Sequence, residues 1–582
     1  MKALIAKILI TVGGVTVVVL LVVGGLLVYF WLTGKAVPRR TILEADLEKN
    51  YVEYIPEDRL GSLVMRKAPL IRDVVAALDK ASEDPKVAML VAKVGASNMK
   101  LAKIQEIRDA VIKFRKKGKK AIAYAETFGE FGPGNVAYYL STAFDRIYLQ
   151  PSGDIGLTGL SMKTPFLKDL LKKVGIEPRL AHRQEYKSAA YTFTEKKYIE
   201  PHREADRAVL ESMVSQIVEG IAGSRGLTRE EVASRIDRGP FSAKEALQER
   251  LVDGLAYRDE VYDQAKKEAG KGSHTLLLSE YLKKAGSPYS GKKKIALIYG
   301  VGQIIRGKSR YTPLGRHIMG SDTVAQAFRQ AVKDKSVKAI VFRINSPGGS
   351  YVASDVVWRE TVHAKQEGKP VIASMSEVAG SGGYFVAMEA DKIIAHPGTI
   401  TGSIGVVSGK MVTSEMWDRI GIHWGELFTH ENAGLWSSTE NYSSEQWEHI
   451  QAWLDQVYED FVTKVAQGRN LDKEKVREIA KGRIWSGKTA KELGLVDELG
   501  GLEEALRAAK AAAKIPEDEK VGIKVFPAKR PLWKRLLYGR PKSSDMQDAV
   551  RSEALKQWLD LARETGFFEP VGVLQMKEPK IE

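Results

Sequence analysis

The chain has 582 residues, of which 44% are hydrophobic and 28% are charged, a composition typical of globular proteins with several domains. It contains no cysteine, which excludes disulfides, thiolate metal ligands and cysteine nucleophiles, so any nucleophile must be an oxygen or an amine. The formal net charge of +16 would suit an anionic membrane surface or a nucleic acid. Because the lysines are scattered over predicted helix surfaces and not gathered in one arm, we expect no nucleic-acid partner.

The first predicted element is a membrane anchor within residues 1–34. Residues 8–34 carry no charge, and at a rise of ~1.5 Å per residue they can cross a hydrocarbon core about 30 Å thick. A cleaved secretory signal is the alternative, but its apolar core would be only about 7 to 15 residues long. Long domains translocate largely regardless of flanking charge. We therefore expect a single-pass protein of the inner (cytoplasmic) membrane, with the rest of the chain on its periplasmic, extracytoplasmic side.

Two similar halves follow the anchor, residues 35–286 and residues 293–515. Each begins with an amphipathic helix (LIRDVVAALDKA; TVAQAFRQAVKD), a buried strand (VAMLVAKV; VKAIVFRIN), another helix and a short apolar strand (AIAYAE; VIASMS). They share an ending, FSAKEALQERLVDGLA and WSGKTAKELGLVDELG. Strands that alternate with helices predict parallel β-α units. The predicted fold class is α/β with two tandem, duplicated domains, followed at residues 516–582 by a basic tail with a helical segment.

The two halves differ most informatively at one position. Asn135, in GPGNVAYYL, stands where Ser381 stands in AGSGGYF, and the same spacing places Lys187, in QEYKSAAYTF, opposite Ala433. Each half has kept one polar residue that the other has lost. This pattern predicts one divided active site, with Ser381 as nucleophile and Lys187 as general base. Considered alone, the serine could be a helix N-cap and the lysine a solvated charge.

The chemistry of such a pair sets a condition on its surroundings. Lysine can accept a proton from a serine hydroxyl only if its pKa falls from about 10.4 toward 7 or 8. Desolvation lowers the pKa of an amine, so we expect a dry, partly apolar site around Lys187.

Glycines at two strand-to-helix junctions supply candidate oxyanion donors. Gly348 and Gly349, in RINSPGGS, can adopt backbone angles closed to other residues and expose their N–H groups. Alone, this motif could be an ordinary turn. The next junction adds Gly382, directly after Ser381. No HExxH or other metal-ligand motif is present, and we expect no cofactor.

From the anchor to about residue 515, the chain resembles the signal peptide peptidase A (protease IV) family in its long, duplicated, membrane-anchored form. The motifs that carry the resemblance are EYKSAA around Lys187, NSPGGS from Asn345, GSGGY around Ser381 and TGSIG around Ser403. The resemblance implies that Lys187 is the general base and Ser381 the nucleophile. It also implies that Ser403 orients Lys187 through a hydrogen bond.

The resemblance further implies that Gly348 and Gly382 supply the oxyanion N–H groups, with Gly349 possible in place of Gly348. It implies the fold shared by Clp proteases and crotonases, and cleavage of signal peptides through an acyl-enzyme. It also implies contact with membrane lipid and a homo-oligomer, commonly a tetramer.

Three other readings of the sequence remain open. A Clp-type Ser–His–Asp site would need a histidine after TGSIG, where VVSGKMV has none; His396 follows a strand, and His430 is a secondary candidate helper. A crotonase-like acyl-CoA enzyme would also use paired glycine N–H groups. A catalytically silent, membrane-tethered scaffold would keep the fold without the chemistry.

Overall fold

The computed structural model describes residues 36–312, 315–527, 573–576 and 580–581, apart from short gaps at 57, 59–60, 62–63 and 66. The anchor predicted within residues 1–34 and most of the predicted tail lie outside these residues. Among the residues described, no helix is both long and apolar enough to cross a membrane.

The first half alternates strands with helices. Its strands are β1 (Thr41–Asp46), β2 (Val87–Lys93), β3 (Lys120–Ala125), β4 (Arg146–Leu149), β5 (Asp154–Ile155), β6 (Met162–Lys163), β7 (Glu177–Arg183), β8 (Phe241–Ser242), β9 (Gly254–Leu255) and β10 (His274–Leu277). Its helices are α1 (Ile71–Glu83), α2 (Leu101–Lys116), α3 (Asn135–Ser141), α4 (Lys168–Lys173), α5 (Tyr191–Thr194), α6 (Glu200–Arg225), α7 (Arg229–Arg238), α8 (Ala243–Gln248), α9 (Arg258–Ala269) and α10 (Leu278–Ala285).

The second half repeats this order with additional strands. Its strands are β11 (Lys294–Val301), β12 (Gln303–Ile305), β13 (Arg310–Tyr311), β14 (His317–Gly320), β15 (Val337–Ser346), β16 (Gly348–Ser350), β17 (Val371–Gly380), β18 (Lys392–Ala395), β19 (Ile400–Gly402), β20 (Val406–Val412), β21 (Ile484–Ser486), β22 (Glu498–Leu499), β23 (Gly522–Phe526), β24 (Val573–Gln575) and β25 (Lys580–Ile581). Its helices are α11 (Ser321–Lys333), α12 (Tyr351–Gln366), α13 (Gly382–Phe385), α14 (Ser414–Arg419), α15 (Ser444–Arg469), α16 (Lys473–Ile479), α17 (Gly487–Glu492) and α18 (Leu502–Ala512), with a 3-10 turn at Glu431–Gly434.

The two main sheets have the same topology, which makes the duplication visible. The first sheet runs β10-β1-β2-β3-β4-β9, and these strands pair in parallel. The second contains the corresponding parallel series β23-β11-β15-β17-β18-β22, with β19 and β21 added beside β17. The predicted mixed α/β architecture is confirmed. Strand β23 lies beyond residue 515, where the sequence pattern ends.

The opening elements of each half form where the hydrophobic spacing predicts them. Helix α1 buries Ile71, Val74, Val75 and Leu78, which lie on one face at helical spacing. Strand β2 is buried along most of its length, as expected for a parallel strand covered on both faces. The same pattern recurs in α11 and β15. Packing of these faces against the sheets forms the core of each half.

A buried ion cluster joins the two halves. Arg343, on β15, is completely buried, and its guanidinium donates to Glu53 at 2.9 Å and to Glu106, both in the first half. It also donates to Ser374 Oγ at 2.9 Å. Burial alone would raise the pKa of Glu53, but the charges of Arg343 and Lys103 and the hydrogen bonds that it accepts hold this pKa at about 2. The interface therefore depends on an ionised Glu53.

We predict that Glu53→Gln lowers the free energy of unfolding by about 3 kcal/mol at pH 7, because it removes one of the two buried carboxylates that pair with the Arg343 charge and leaves Glu106 as its remaining charged partner. The pKa of Glu53 falls from 4.5 to about 2 on folding, so its stabilisation is complete above pH 4.5 and is lost as the pH falls toward 2. Urea unfolding at several pH values measures the difference from wild type, which should shrink on acidification.

Glu83→Gln is the matched control, since the pair between Glu83 and Lys117 is exposed. It should change stability by no more than about 0.5 kcal/mol. Equal effects of the two substitutions at pH 7 would contradict a structural role for the buried cluster.

Candidate active site

Ser381 lies in the tight connection between β17 and α13. Its backbone has φ of 54° and ψ of −117°, a region that non-glycine residues rarely adopt. The Ser381 N–H donates to the Gly402 carbonyl on β19 at 2.8 Å, which helps to hold this conformation. The side chain is completely buried. The fold therefore fixes the direction of the hydroxyl at the carboxyl end of the second sheet.

Lys187 reaches this point from the other half of the chain. Strand β7 pairs antiparallel with β20 of the second half along its whole length. Just after β7, the Tyr186 N–H donates to the Lys481 carbonyl at 3.1 Å, and the Arg183 side chain donates to Gln451 Oε1 on α15 at 2.8 Å. A segment of the first half is thus anchored on the second half, and it carries Lys187 into the second half's site.

The structure brings Lys187, Ser381 and Ser403 together. The Lys187 Nζ lies 2.7 Å from Ser381 Oγ, 2.9 Å from the Ser403 carbonyl oxygen and 3.0 Å from Ser403 Oγ. These three partners include no carboxylate. Lys187 has no exposed surface, and burial lowers the pKa of its amine well below the ordinary value of 10.5. The dry environment expected around the lysine is present.

The three candidate oxyanion glycines also lie together. A Cβ atom on Gly382 would sit 3.1 Å from both Gly348 Cα and Gly349 N. Gly348 has φ of 102°, and its N–H donates to Ser346 Oγ at 3.2 Å. Gly349 pairs with Ile304 on β12. The choice between Gly348 and Gly349 as the oxyanion donor stays a prediction.

Gly482 supports the site, although no sequence motif predicts it. It has φ of +77°, and a Cβ there would lie 2.6 Å from Lys187 N. The next residue, Arg483, accepts the Ser403 N–H at 2.7 Å. This loop therefore packs against the backbone of Lys187 and also holds Ser403. Its sequence signal is only a glycine just before the shared ending of the halves.

The other candidate residues lie apart from this group. Asn135 begins α3 in the first half, where its side chain donates to the Gly159 carbonyl at 2.8 Å and accepts the Gly159 N–H at 2.9 Å. His430 is exposed and contacts Thr429. His396 is buried near Glu106, at 3.8 Å, in the interface between the halves.

Comparison with known proteins agrees with this two-part organisation. Residues 113–271 and 363–516 match peptidase family S49, with one region in each half. The chain belongs to peptidase family S49. The first matched region of this S49 chain contains Lys187, and the second contains Ser381, Ser403 and Gly482.

Three curated relatives have protease names. "Serine protease SPPA, chloroplastic" of Arabidopsis thaliana is 33% identical over 456 residues, which cover 76% of this chain and 66% of the relative. "Protease 4" of Haemophilus influenzae is 31% identical over 477 residues, 79% of this chain and 76% of the relative. "Putative signal peptide peptidase SppA" of Enterococcus faecium is 35% identical over 185 residues, 32% of this chain and 54% of the relative. The S49 chain is a serine protease hydrolase.

We predict that Gly482→Ala lowers kcat at least about tenfold, because the new methyl group displaces the Lys187 backbone and misplaces its amine. Gly368→Ala is the matched control, since Gly368 has φ of +70° and no atom lies within 4 Å of the place that its new methyl group would take. It should cost about 1 kcal/mol of stability and leave kcat unchanged. Peptidase assays with thermal unfolding compare the two; a similar kcat in both would argue against Gly482 as a support for Lys187.

Proposed function

We propose that this S49 protease cleaves peptides with a Ser–Lys dyad, in which Ser381 is the nucleophile and Lys187 the general base. The observation that carries the proposal is the 2.7 Å contact between Lys187 Nζ and Ser381 Oγ in a fully buried site. This distance lies within the range needed for direct proton transfer. The lowered pKa of Lys187 favours the neutral amine, which is the form that can accept a proton.

Ser403 supports this assignment by orienting the amine. A neutral amine has two N–H groups and one lone pair. The Ser403 carbonyl and hydroxyl oxygens, at 2.9 and 3.0 Å, can accept both N–H groups. The lone pair is then left for the Ser381 hydroxyl, so Ser403 acts as the lysine-orienting residue.

The reaction proceeds through an acyl-enzyme. As Ser381 Oγ attacks the scissile carbonyl carbon, its proton moves to Lys187 Nζ and the carbonyl oxygen becomes an oxyanion. The N–H of Gly382, with that of Gly348 or Gly349, stabilises this charge. Lys187 then gives its proton to the leaving amine, and the C–N bond breaks. In the second stage Lys187 takes a proton from water as the water oxygen attacks the ester carbonyl carbon; the ester C–O bond then breaks, and Lys187 returns the proton to Ser381 Oγ.

We propose cleaved signal peptides as the substrates. A cavity of about 1570 Å³ between the halves has apolar lining residues that include Leu101, Leu180, Phe193 and Ile400. Charged residues such as Glu377 and Lys410 also line this cavity, but its apolar part suits an extended apolar peptide, and the name of the Enterococcus relative refers to the same substrate class. Acyl-CoA chemistry or a silent scaffold would leave the buried lysine without a role.

We also propose a domain organisation and a membrane location for the protein. The domains are residues 35–286 and 293–515, each with the Clp/crotonase-like fold and one S49 region. An anchor within residues 1–34 would place the protease in the inner membrane, in contact with lipid, with both domains on the extracytoplasmic side. We propose a homotetramer, which light scattering on the detergent-solubilised full chain tests directly.

We predict that Ser381→Ala and Lys187→Met each lower kcat for a signal-peptide substrate by at least about 10³-fold, because each removes one member of a unit. Ser141→Ala is the matched control, since Ser141 is a fully buried serine of the first half whose hydroxyl donates to the Tyr138 carbonyl within that half. It should keep the wild-type order of magnitude. Equal turnover in wild type, Ser381→Ala and Lys187→Met would refute the dyad.

We also predict the direction of the pH dependence. Lys187 acts only when neutral, so kcat/KM should rise with pH and level off above the pKa of its amine, which burial holds well below 10.5. Activity is therefore lost as the pH falls through this lowered value. Initial rates across the pH range measure the inflection, and an inflection at 10.5, typical of a solvated lysine, would contradict the desolvated base.

A further inference from the structure

A group of stacked side chains lies over the loop that contains Lys187. The guanidinium carbon of Arg483 is 4.5 Å from the ring centre of Trp485, in the second half, and 4.9 Å from the ring centre of Tyr186, in the first half. The planar cation therefore contacts two aromatic rings, one from each half. We call Tyr186, Arg483 and Trp485 the aromatic stack.

A carboxylate of the first half completes this group. Glu204, on α6, accepts a hydrogen bond from Arg483 at 2.6 Å through one oxygen and from the Tyr186 hydroxyl at 2.8 Å through the other. The Glu204 side chain is 49% exposed, so this ion pair alone contributes little. The Arg483 side chain is only 18% exposed, and contacts between a cation and aromatic rings are strongest where the cation is desolvated.

The main chain around Arg483 is bonded to both sides of the proposed dyad. The Arg483 carbonyl accepts the Ser403 N–H at 2.7 Å, and Ser403 in turn accepts hydrogen bonds from the Lys187 amine. Two residues before Arg483, the Lys481 carbonyl accepts the Tyr186 N–H at 3.1 Å. A displacement of Arg483 would therefore disturb Ser403 and the loop of Lys187 together.

The loop passes from water to the buried amine within two residues. Gln184 and Glu185 are exposed, whereas Lys187 has no exposed surface. Tyr186, between them, is partly buried, and its ring is one of the two that Arg483 contacts. The aromatic stack thus fixes the loop at the point where solvent comes closest to Lys187 along the chain.

We propose that Arg483 is a positioning residue for the peptidase reaction: the aromatic stack holds the loop of Lys187 closed, which keeps the amine against Ser381 and keeps water away from it. Arginine suits this place because its flat guanidinium can stack on aromatic rings and also pair with a carboxylate. Arg483 acts through Ser403 and the loop, and not by contact with the reacting atoms. The inference rests on the proposed Ser–Lys dyad.

The test replaces the Arg483 side chain and leaves its carbonyl in place. In the full-length protein, Arg483→Met keeps an unbranched side chain without the charge or the flat group. We expect kcat for a fluorogenic signal-peptide substrate to fall about tenfold and KM to stay within about twofold of wild type, since the base is misplaced and the peptide site is not.

The pH profile separates positioning of the base from a general loss of structure. Water that reaches Lys187 would move the pKa of its amine back toward 10.5. The pH at which kcat/KM levels off should therefore be higher in Arg483→Met than in wild type. Initial rates across the pH range measure this shift.

Two further variants keep the test decisive if Arg483→Met fails to fold. Arg483→Lys keeps a cation for Glu204 but cannot stack flat on the rings, so its kcat and its pH profile should fall between those of wild type and Arg483→Met. Tyr186→Leu removes one ring and should shift the pH profile in the same direction. Thermal unfolding checks that each variant is folded.

Arg225→Met is the matched control. The Arg225 side chain is 11% exposed and pairs with Asp253 at 2.9 Å within the first half. Its replacement should lower the midpoint of thermal unfolding and leave both kcat and the pH profile as in wild type.

Values of kcat and a pH profile for Arg483→Met that match those of Arg225→Met would overturn the proposal. A fall in kcat with an unchanged pH profile would also overturn it, because a general structural loss would explain that result. So would a higher KM with unchanged kcat, which would place Arg483 on the peptide-binding surface. A failure of the dyad itself is distinct, since Lys187→Met would then keep the wild-type turnover.

Discussion

The proposed chemistry of this protein depends on keeping water away from one amine, that of Lys187. A lysine in water holds its proton far above neutral pH and cannot deprotonate a serine. Complete burial of Lys187 favours its neutral form. The carbonyl and hydroxyl oxygens of Ser403 accept hydrogen bonds from its amine, and because they carry no negative charge they do not favour the protonated form. A carboxylate in the place of Ser403 would raise the pKa of Lys187 and keep its amine protonated, so that the amine could not act as a base. The neutral character of its hydrogen-bond partners is thus as important as the contact with Ser381.

Burying an amine costs stability, so the surrounding structure must hold it in place. The antiparallel pairing of β7 with β20 places Lys187 of the first half beside the second half, and the loop at Gly482 packs against the Lys187 backbone. Farther away, Arg343 ties Glu53 and Glu106 of the first half to the second sheet. Each of these interactions connects the two halves, because the proposed base belongs to one half and the proposed nucleophile to the other. In the proposed mechanism, the interface between the two halves is therefore part of the catalytic apparatus.

Much of this arrangement could be predicted from the sequence, because it depends on short hydrophobic patterns and on a comparison of the two repeats. Hydrophobic periodicity predicts α1, β2, α11 and β15. The first half has Asn135 where the second has Ser381, and the second has Ala433 where the first has Lys187; these two differences predict which residue each half contributes to the site. Strand β7, sequence EPRLAHR, carries several charges and has no strand-like alternation. Its pairing with β20 could not be predicted locally, because β20 lies in the other half of the chain. Arg343 looks like an ordinary charged residue, because its partners Glu53 and Glu106 are distant in sequence. The packing of Gly482 is likewise a tertiary contact.

The separation of the proposed base from the proposed nucleophile along the chain has a consequence for biosynthesis. Lys187 and Ser381 are 194 residues apart. At translation rates of about 5 to 20 residues per second, the ribosome needs about 10 to 40 s to advance from one to the other. During that interval the nascent chain has a lysine without its serine, and the loop that packs against the lysine has still to be made. The proposed dyad can therefore form only after most of the polypeptide has been synthesised.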